Sequence, residues 1–375
     1  MIEMYLIMGF TTIFVGVIVG LTPRFTRKNI HFGVTLPEVA QDMIETKRWK
    51  QNYFRSSLTF TALGLVIMSL ILFLNLDEQS AIEYLGIVGS IVVSVLSVIQ
   101  FVLYFVYHNR AKAFKQANFD LVSYQNNQRI QVATDFHENM KHRFPWVVVL
   151  SLLLVGLTVF LTFNNYDNLP EYLIQSWNGP NNVTYRPRTF SSLMLLPFIQ
   201  MVLIISFTLA MFVMKKTRQL INPRYGKKSV ATNIRFRKAT IDFLGLMCAA
   251  TVALLFGIQL GITQIIPMER TVIWFTLLYL AFILLGVVFL MLKFGQGGSR
   301  LNEHDEADNQ LEMYDDDAHW LWGMIYFNPN DPALFVEQKF GIGSTVNMAR
   351  WQAWAFIGVI VLIVAVSLIV TFIYA

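Results

Sequence analysis

Eight stretches of this chain stay apolar over 18 residues or more, and that property restricts the fold more than any motif does. They run approximately Met4–Leu21, Leu58–Leu76, Glu83–Tyr107, Trp146–Phe163, Ser191–Met214, Ile241–Leu260, Val272–Leu292 and Trp354–Tyr374. In hydrocarbon there is no water to satisfy backbone N–H and C=O groups, so each run must satisfy its own by forming a helix. At about 1.5 Å rise per residue, roughly 20 residues cross a core of about 30 Å. With 55% hydrophobic and only 14% charged residues, the composition also lies outside the range of soluble domains. The expected fold class is an all-α integral membrane protein with about eight transmembrane helices.

The distribution of Lys and Arg gives orientation. The loops 23–57, 108–145, 215–240 and 293–350 hold seven, six, nine and four of the 29 basic residues, whereas the intervening loops hold only Arg186, Arg188 and Arg270. By the positive-inside rule the four basic loops are cytoplasmic and both termini lie outside. The net charge of +5 therefore reports topology and predicts no nucleic-acid partner. The first run has no basic leader and is followed by Pro23-Arg24-Phe25-Thr26-Arg27, so a retained helix is expected there and not a cleaved signal.

No recognisable catalytic pattern is present: the chain has no GxSxG elbow, no HExxH and no phosphate-binding GKS/T, so no enzyme activity, cofactor or metal is predicted. The single cysteine, Cys248, can form no intramolecular disulfide. The six histidines, at 31, 108, 137, 142, 304 and 319, all fall in basic loops and read as surface residues. The run containing Glu303, Asp305, Glu306, Asp308, Glu312, Asp315, Asp316 and Asp317 lacks metal-loop spacing and reads as a solvated acidic tether.

Three places carry patterned polarity. In the third span Ser90, Ser94 and Ser97 recur at helical spacing with Gln100 close by, a candidate intramembrane polar face that either packs helices or lines a path. The loop 164–190 carries Tyr172, Trp177, Asn178 and Tyr185, a candidate outer site for a partner. The first basic loop reads as a short extended piece ending at Pro37 and then an amphipathic lead-in lying at the headgroups. Before the last span, Met324–Phe327 and Ala333–Phe340 are strand-like around the turn Asn328-Pro329-Asn330-Asp331-Pro332, which predicts a small cytoplasmic β-hairpin module. Gly341 and Gly343 read as turn residues before re-entry.

The residues Trp322, Gly323, Tyr326, Asn328, Pro329, Asp331, Pro332, Gly341, Gly343 and Asn347 form a dense pattern. It resembles the C-terminal module of uncharacterised multipass membrane proteins of Gram-positive bacteria. Asn29–Glu38 is similar to the first cytoplasmic loop of those proteins. Leu169-Pro170, Ser176-Trp177-Asn178 and Gly179-Pro180 resemble an outer-loop domain shared with the immunity family of the sporulation-delaying toxin system, although Ser176 stands where many members have histidine. The resemblance implies a multipass protein of the bacterial plasma membrane that senses, or confers immunity to, an envelope-acting peptide or antibiotic. A transporter or lipid-handling carrier is the alternative. The partners implied are the lipid bilayer, an extracellular peptide and a cytoplasmic or membrane protein. The expected segments are 1–145 (three spans and two basic loops), 146–214 (two spans and the outer loop), 215–293 (basic loop and two spans), 294–319 (acidic tether), 320–350 (hairpin module) and 351–375 (last span).

Overall fold

A computed structural model describes residues 2–375 except 38–39, 41–42, 75, 119–127, 130–143, 178–182, 218–225, 303–311, 314, 342, 359–360, 363–364 and 366–375. Seven long helices are described: α1 (Ile2–Phe25), α2 (Ile44–Leu72), α3 (Glu78–Asn118), α4 (Phe144–Asn164), α5 (Phe190–Lys216), α6 (Gly226–Ile262) and α7 (Met268–Phe294). All seven are long and apolar enough to cross a membrane, which makes this a multipass membrane protein. The eighth run is helical over 351–358 and beyond that lies mostly outside the described residues.

The helices form two groups. One consists of α1, α2 and α3 packed mutually, and the other has α4, α5 and α7 arranged around α6; α1 touches α7 and joins them. Lipid offers no hydrophobic drive for helix to seek helix, so close approach depends on small residues. A Cβ on Gly16 of α1 would overlap Thr61 of α2, and one on Gly286 of α7 would overlap the Phe243 ring of α6. Polar side chains lie at the same seams. Gln100 Nε2 donates to Ser57 Oγ at 2.7 Å, and Ser57 Oγ donates to Gly16 O at 2.8 Å, so α1, α2 and α3 meet at one buried polar knot. In the second group Gln259 Nε2 donates to Thr162 Oγ1 and Leu193 O, both at 3.1 Å, tying α6 to α4 and α5.

Two helices are much longer than a bilayer requires. At about 1.5 Å per residue, the 41 residues of α3 and 37 of α6 extend about 60 and 55 Å. Each projects from the face that carries the basic loops. Around those projections sit short antiparallel strand pairs: β1 (Ile30–His31) with β2 (Val34–Thr35), β7 (Trp320–Leu321) with β8 (Ile325–Tyr326), and β9 (Phe335–Glu337) with β10 (Ser344–Val346). A further short pair, β3 (Gln128–Arg129) with β6 (Glu312–Met313), is parallel. On the opposite face β4 (Tyr172–Trp177) and β5 (Val183–Pro187) form an antiparallel hairpin.

The strand pairing corrects one expectation. The segments 324–327 and 333–340 do not pair with each other: Tyr326 pairs back to Trp320, while Phe335–Glu337 pairs forward to Ser344–Val346 across Gly341 and Gly343. Both glycines have positive φ, +96° and +141°, which a turn can use and an L side chain resists. The turn-rich Asn328–Pro332 stretch links two hairpins instead of closing one.

The Gly16 contact should be intolerant of volume. Gly16→Val is expected to force α1 from α2 and lower the thermal unfolding midpoint in detergent, at a cost of about 1–3 kcal/mol. Gly156→Ala, where an added Cβ meets nothing within 4 Å, should leave that midpoint where it was.

Candidate functional site

Among the described residues, the densest chemistry lies where the first basic loop, the projecting end of α3 and the 315–350 module meet. Phe32 is wholly buried with positive φ (+50°), and Gly33 follows at +77°, so the β1–β2 hairpin closes in a tight two-residue turn. The Phe32 ring stacks on Tyr107 at 5.0 Å, meets Tyr53 edge-on at 5.4 Å, and lies 6.3 Å from both Tyr104 and Phe340. That box joins α2, α3, the first loop and the module. The hairpin turn of the module, with Trp322 at φ +54° and Gly323 at +70°, lies against it. A Cβ on Gly33 would come within 2.7 Å of Gly323 Cα, so the two turns touch through bare backbone.

The short extended piece of the first loop is thus a hairpin folded into this junction. Ile30 to Pro37 are buried throughout, because the hairpin is roofed by the module.

Charge is buried beside this aromatic box. Asp317 accepts from Thr35 N at 3.1 Å and Thr35 Oγ1 at 2.9 Å, from Lys115 Nζ at 2.8 Å, and from Lys339 Nζ in a very short contact. Lys115 Nζ also donates to Asp315, and Lys339 Nζ to Asp316 Oδ1 at 2.7 Å. Asp316 Oδ2 in turn accepts from Trp320 Nε1 at 2.8 Å. On the far side, Arg27 Nη2 donates to both carboxylate oxygens of Glu337 at 2.7 and 2.8 Å. Gln296 completes the join, accepting from Arg27 N at 3.2 Å and donating to Gln338 O at 2.6 Å and Lys339 O at 3.2 Å. Burial alone would raise the Asp317 pKa, but Lys339 and Lys115 outweigh it and hold the carboxyl well below its usual range. Likewise, burial opposes the charged form of Lys339, yet Asp317 and Asp316 raise its pKa overall. Asp315 moves the other way: burial and the Asp317 charge raise it despite Lys115.

Two further expectations are corrected here. Asp315, Asp316 and Asp317 are not tether; they are ion-paired inside the module, while 303–311 lies outside the described residues. Nor are all the histidines surface residues. His31 and His108 are buried, His31 Nε2 bonding Lys28 O at 3.0 Å and His108 Nδ1 bonding Phe32 O at 2.8 Å. His319 is half-buried, and 137, 142 and 304 lie outside the described residues.

Residues of the module pattern are spent on internal bonding. Asn347 is fully buried: its Oδ1 accepts from Asn328 N at 3.0 Å and Ala349 N at 3.2 Å, while its Nδ2 donates to Asn328 O at 2.8 Å and Asp331 O at 3.1 Å. Tyr326 OH donates to Asp331 Oδ2 at 2.9 Å and accepts from Asn328 Nδ2 at 3.1 Å. Pro329 and Pro332 are exposed at the corners of this loop, Trp322 is exposed at the hairpin tip, and Gly323, Gly341 and Gly343 form turns. The arrangement holds a shape, and its polar atoms face one another.

The third-span residues are not brought together. Gln100 is buried in the α1–α2–α3 knot, whereas Ser90, Ser94 and Ser97 point away from the other helices, each hydroxyl donating to the carbonyl one turn back at 2.8 Å. The packing face of α3 consists instead of Leu85, Val92, Leu96, Gln100 and Tyr104. That stripe recurs at four- and seven-residue spacing, but in so apolar a helix the serines are the conspicuous residues and lie on the opposite side.

At the opposite face the β4–β5 hairpin is two-sided. Leu173 is buried with Leu169, Leu193 of α5 and Ile262 of α6. Tyr172 and Tyr185 point the other way and are 60% and 57% exposed, an aromatic face free of its own scaffold. The side chain of Trp177 and all of Asn178 lie outside the description.

A family of unknown function (DUF5808) matches residues 329–354. Those residues take in Pro329–Asp331 of the connecting loop, β9, β10 and the start of the last helix. No curated protein and no solved structure matches the chain.

Two outcomes are expected of this cluster. Lys339→Met leaves Asp316 and Asp317 together without their shared cation, a loss of about 3–5 kcal/mol for a buried partner. Hydrogen exchange across 315–350 should then accelerate; Asp317→Asn should do so less, because that side chain is one-quarter exposed. Acid should loosen the same join. Burial, helped by the Lys50 charge, lowers the His31 pKa from 6.5 to about 3 in spite of the Lys28 carbonyl. The folded form thus binds fewer protons than the unfolded form between those values, and stability falls on acidification by up to about 1.4 kcal/mol per pH unit. Thermal midpoints measured from pH 7 to pH 4 should drop, and His31→Asn should flatten that slope.

Proposed function

We propose that the protein is a non-enzymatic membrane sensor, or immunity protein, for an envelope-acting peptide, with the β4–β5 hairpin outside and the 315–350 module in the cytoplasm. The observation that carries this reading is the reach of α6. At its outer end Ile262 packs beneath Leu173 of the hairpin. At its other end the Thr232 carbonyl lies against Gly298, so close that a Cβ there would approach to 2.6 Å. Gly298 belongs to the 3-10 segment Gln296–Asn302, whose Gln296 bonds the module backbone. A single continuous helix thus touches both the hairpin and the segment that grips the module.

Rigid elements pass displacement along their axis, and coupling needs an element that both ends bias. Peptide seated on Tyr172 and Tyr185 would load the hairpin and, through α6, the Gln296–Lys339 contacts. The module's surface would present the result to a cytoplasmic or membrane partner. The orientation rests on the positive-inside distribution of Lys and Arg.

The carrier alternative needs Ser94 and Ser97 to line a path between helices, and their outward placement gives it no support. The test is deletion of the gene followed by exposure to a panel of membrane-active peptides and wall-directed antibiotics. Heightened sensitivity to at least one is expected, and a chain carrying Tyr172→Ser with Tyr185→Ser, both exposed and so compatible with folding, should fail to restore resistance. Unaltered sensitivity across the panel would dismiss the reading.

A further inference from the structure

We propose that the Leu321–Trp322 tip of the β7–β8 hairpin is a membrane-insertion element, seated in the headgroup region of the leaflet on the basic face. The module would then be held at the bilayer surface by its own aromatic wedge as well as by its helices.

Much of the module is buried or bonded internally, with Phe327, Pro329, Asn330 and Pro332 exposed around its connecting loop, and at the end of the hairpin Leu321 and Trp322 are 53% and 54% exposed. Trp322 also holds a left-handed backbone conformation, φ +54°, which a bulky residue seldom takes. The turn thus leaves about half of a large apolar ring uncovered by the chain.

The position of the tip identifies what covers it. Tyr104 OH donates to Trp322 O at 3.0 Å, and the Trp322 ring meets Phe105 of α3 edge-on at 6.3 Å. Phe105 lies in the last turn of the lipid-facing strip of α3, where Ile87, Ile91, Val98, Phe101 and Val102 are all exposed. Beyond that turn the exposed residues become Asn109, Arg110 and Lys112. From Glu83, the last acid before the strip, to Phe105 the helix rises about 33 Å, close to the roughly 30 Å core. Trp322 is thereby placed at the hydrocarbon boundary, on a surface continuous with the one lipid already covers. Tryptophan favours that depth, since its ring is apolar and its N–H can reach headgroups. Neighbouring cations favour anionic lipid at the same level.

The sole cysteine makes the test direct. In a Cys248→Ser background, Trp322→Cys is spin-labelled and the full chain is placed in nanodiscs containing anionic phospholipid. Power saturation is compared for oxygen and a water-soluble nickel chelate, with Phe101→Cys as the lipid reference and Asn330→Cys as the aqueous one. The label at 322 should keep oxygen access, lower than that of the deeper Phe101, and be several-fold less accessible to nickel than Asn330. Nickel access equal to Asn330 would overturn the proposal. So would shielding from both reagents, which would mean a protein neighbour or a second copy. Leu321→Cys gives the same reading at the same tip if loss of the indole disturbs the turn. The experiment does not depend on peptide sensing, so its outcome is separable from that of the deletion test.

Discussion

Lys339 is 1% exposed, and a buried ammonium stays in a fold only when carboxylates meet it. Asp316 and Asp317 meet it from one segment, but Asp317 is itself held by Lys115 of α3 and by Thr35 of the first loop. The charge requirement of one side chain thus obliges three distant parts of the chain to converge. Without α3 and the first loop, the module would carry an acid-rich run facing a single cation. Hydrophobic contact could bring these segments together in many ways; the ion network, with the Phe32 box beside it, allows very few. A buried pair is weak evidence for net stability, since desolvation offsets much of its attraction. Here its role is register.

Register at this junction has consequences for the rest of the molecule. Arg27 and Gln296 connect the end of α1 and the start of the segment after α7 to the same module stretch that carries Glu337 and Lys339. Thr217, just past α5, shares a hydroxyl hydrogen bond of 2.9 Å with Ser344. Both helix groups are therefore gathered at the basic face by one small module, while within the membrane they join mainly through α1 and α7. A shift of one group against the other must be accommodated at the module. Its contacts are discrete ion pairs and glycine-to-glycine backbone packing, which favour distinct arrangements over gradual deformation.

The helices were legible in the sequence because their cause is local: an apolar run in lipid must become a helix. The small glycine turns were legible for the same reason. Pairing was not. Tyr326 bonding back to Trp320 and not forward to Ala333–Phe340 depends on Asn347 capturing the Asn328–Asp331 loop, a contact about twenty residues away in the chain. Asp315–Asp317 looked like the end of a solvated acidic run because their cations, Lys115 and Lys339, lie on other segments. His31 and Phe32 sit in a basic loop, and only the roof provided by the module buries them. In α3 the serines were the conspicuous residues, yet a hydroxyl that bonds its own helix is compatible with lipid, so their spacing carried no information about packing. Gln100, which cannot satisfy both its amide groups that way, was the better marker.

The same accounting explains why the module pattern marks relatives better than it marks activity. Asn328, Asp331 and Asn347 consume their hydrogen-bonding capacity on one another and on nearby backbone, and Tyr326 closes the set. A ligand would have to break those bonds to use those atoms, leaving buried polar groups unpaired at about 1–3 kcal/mol each. Replacing any of them disturbs the fold first. Residues built to meet a partner must instead remain unsatisfied by their own chain, and on that criterion the places to look are Tyr172 and Tyr185 at one end of α6 and the Trp322 tip at the other face. The constraint that holds the module together thus separates its structural residues from those left available for recognition.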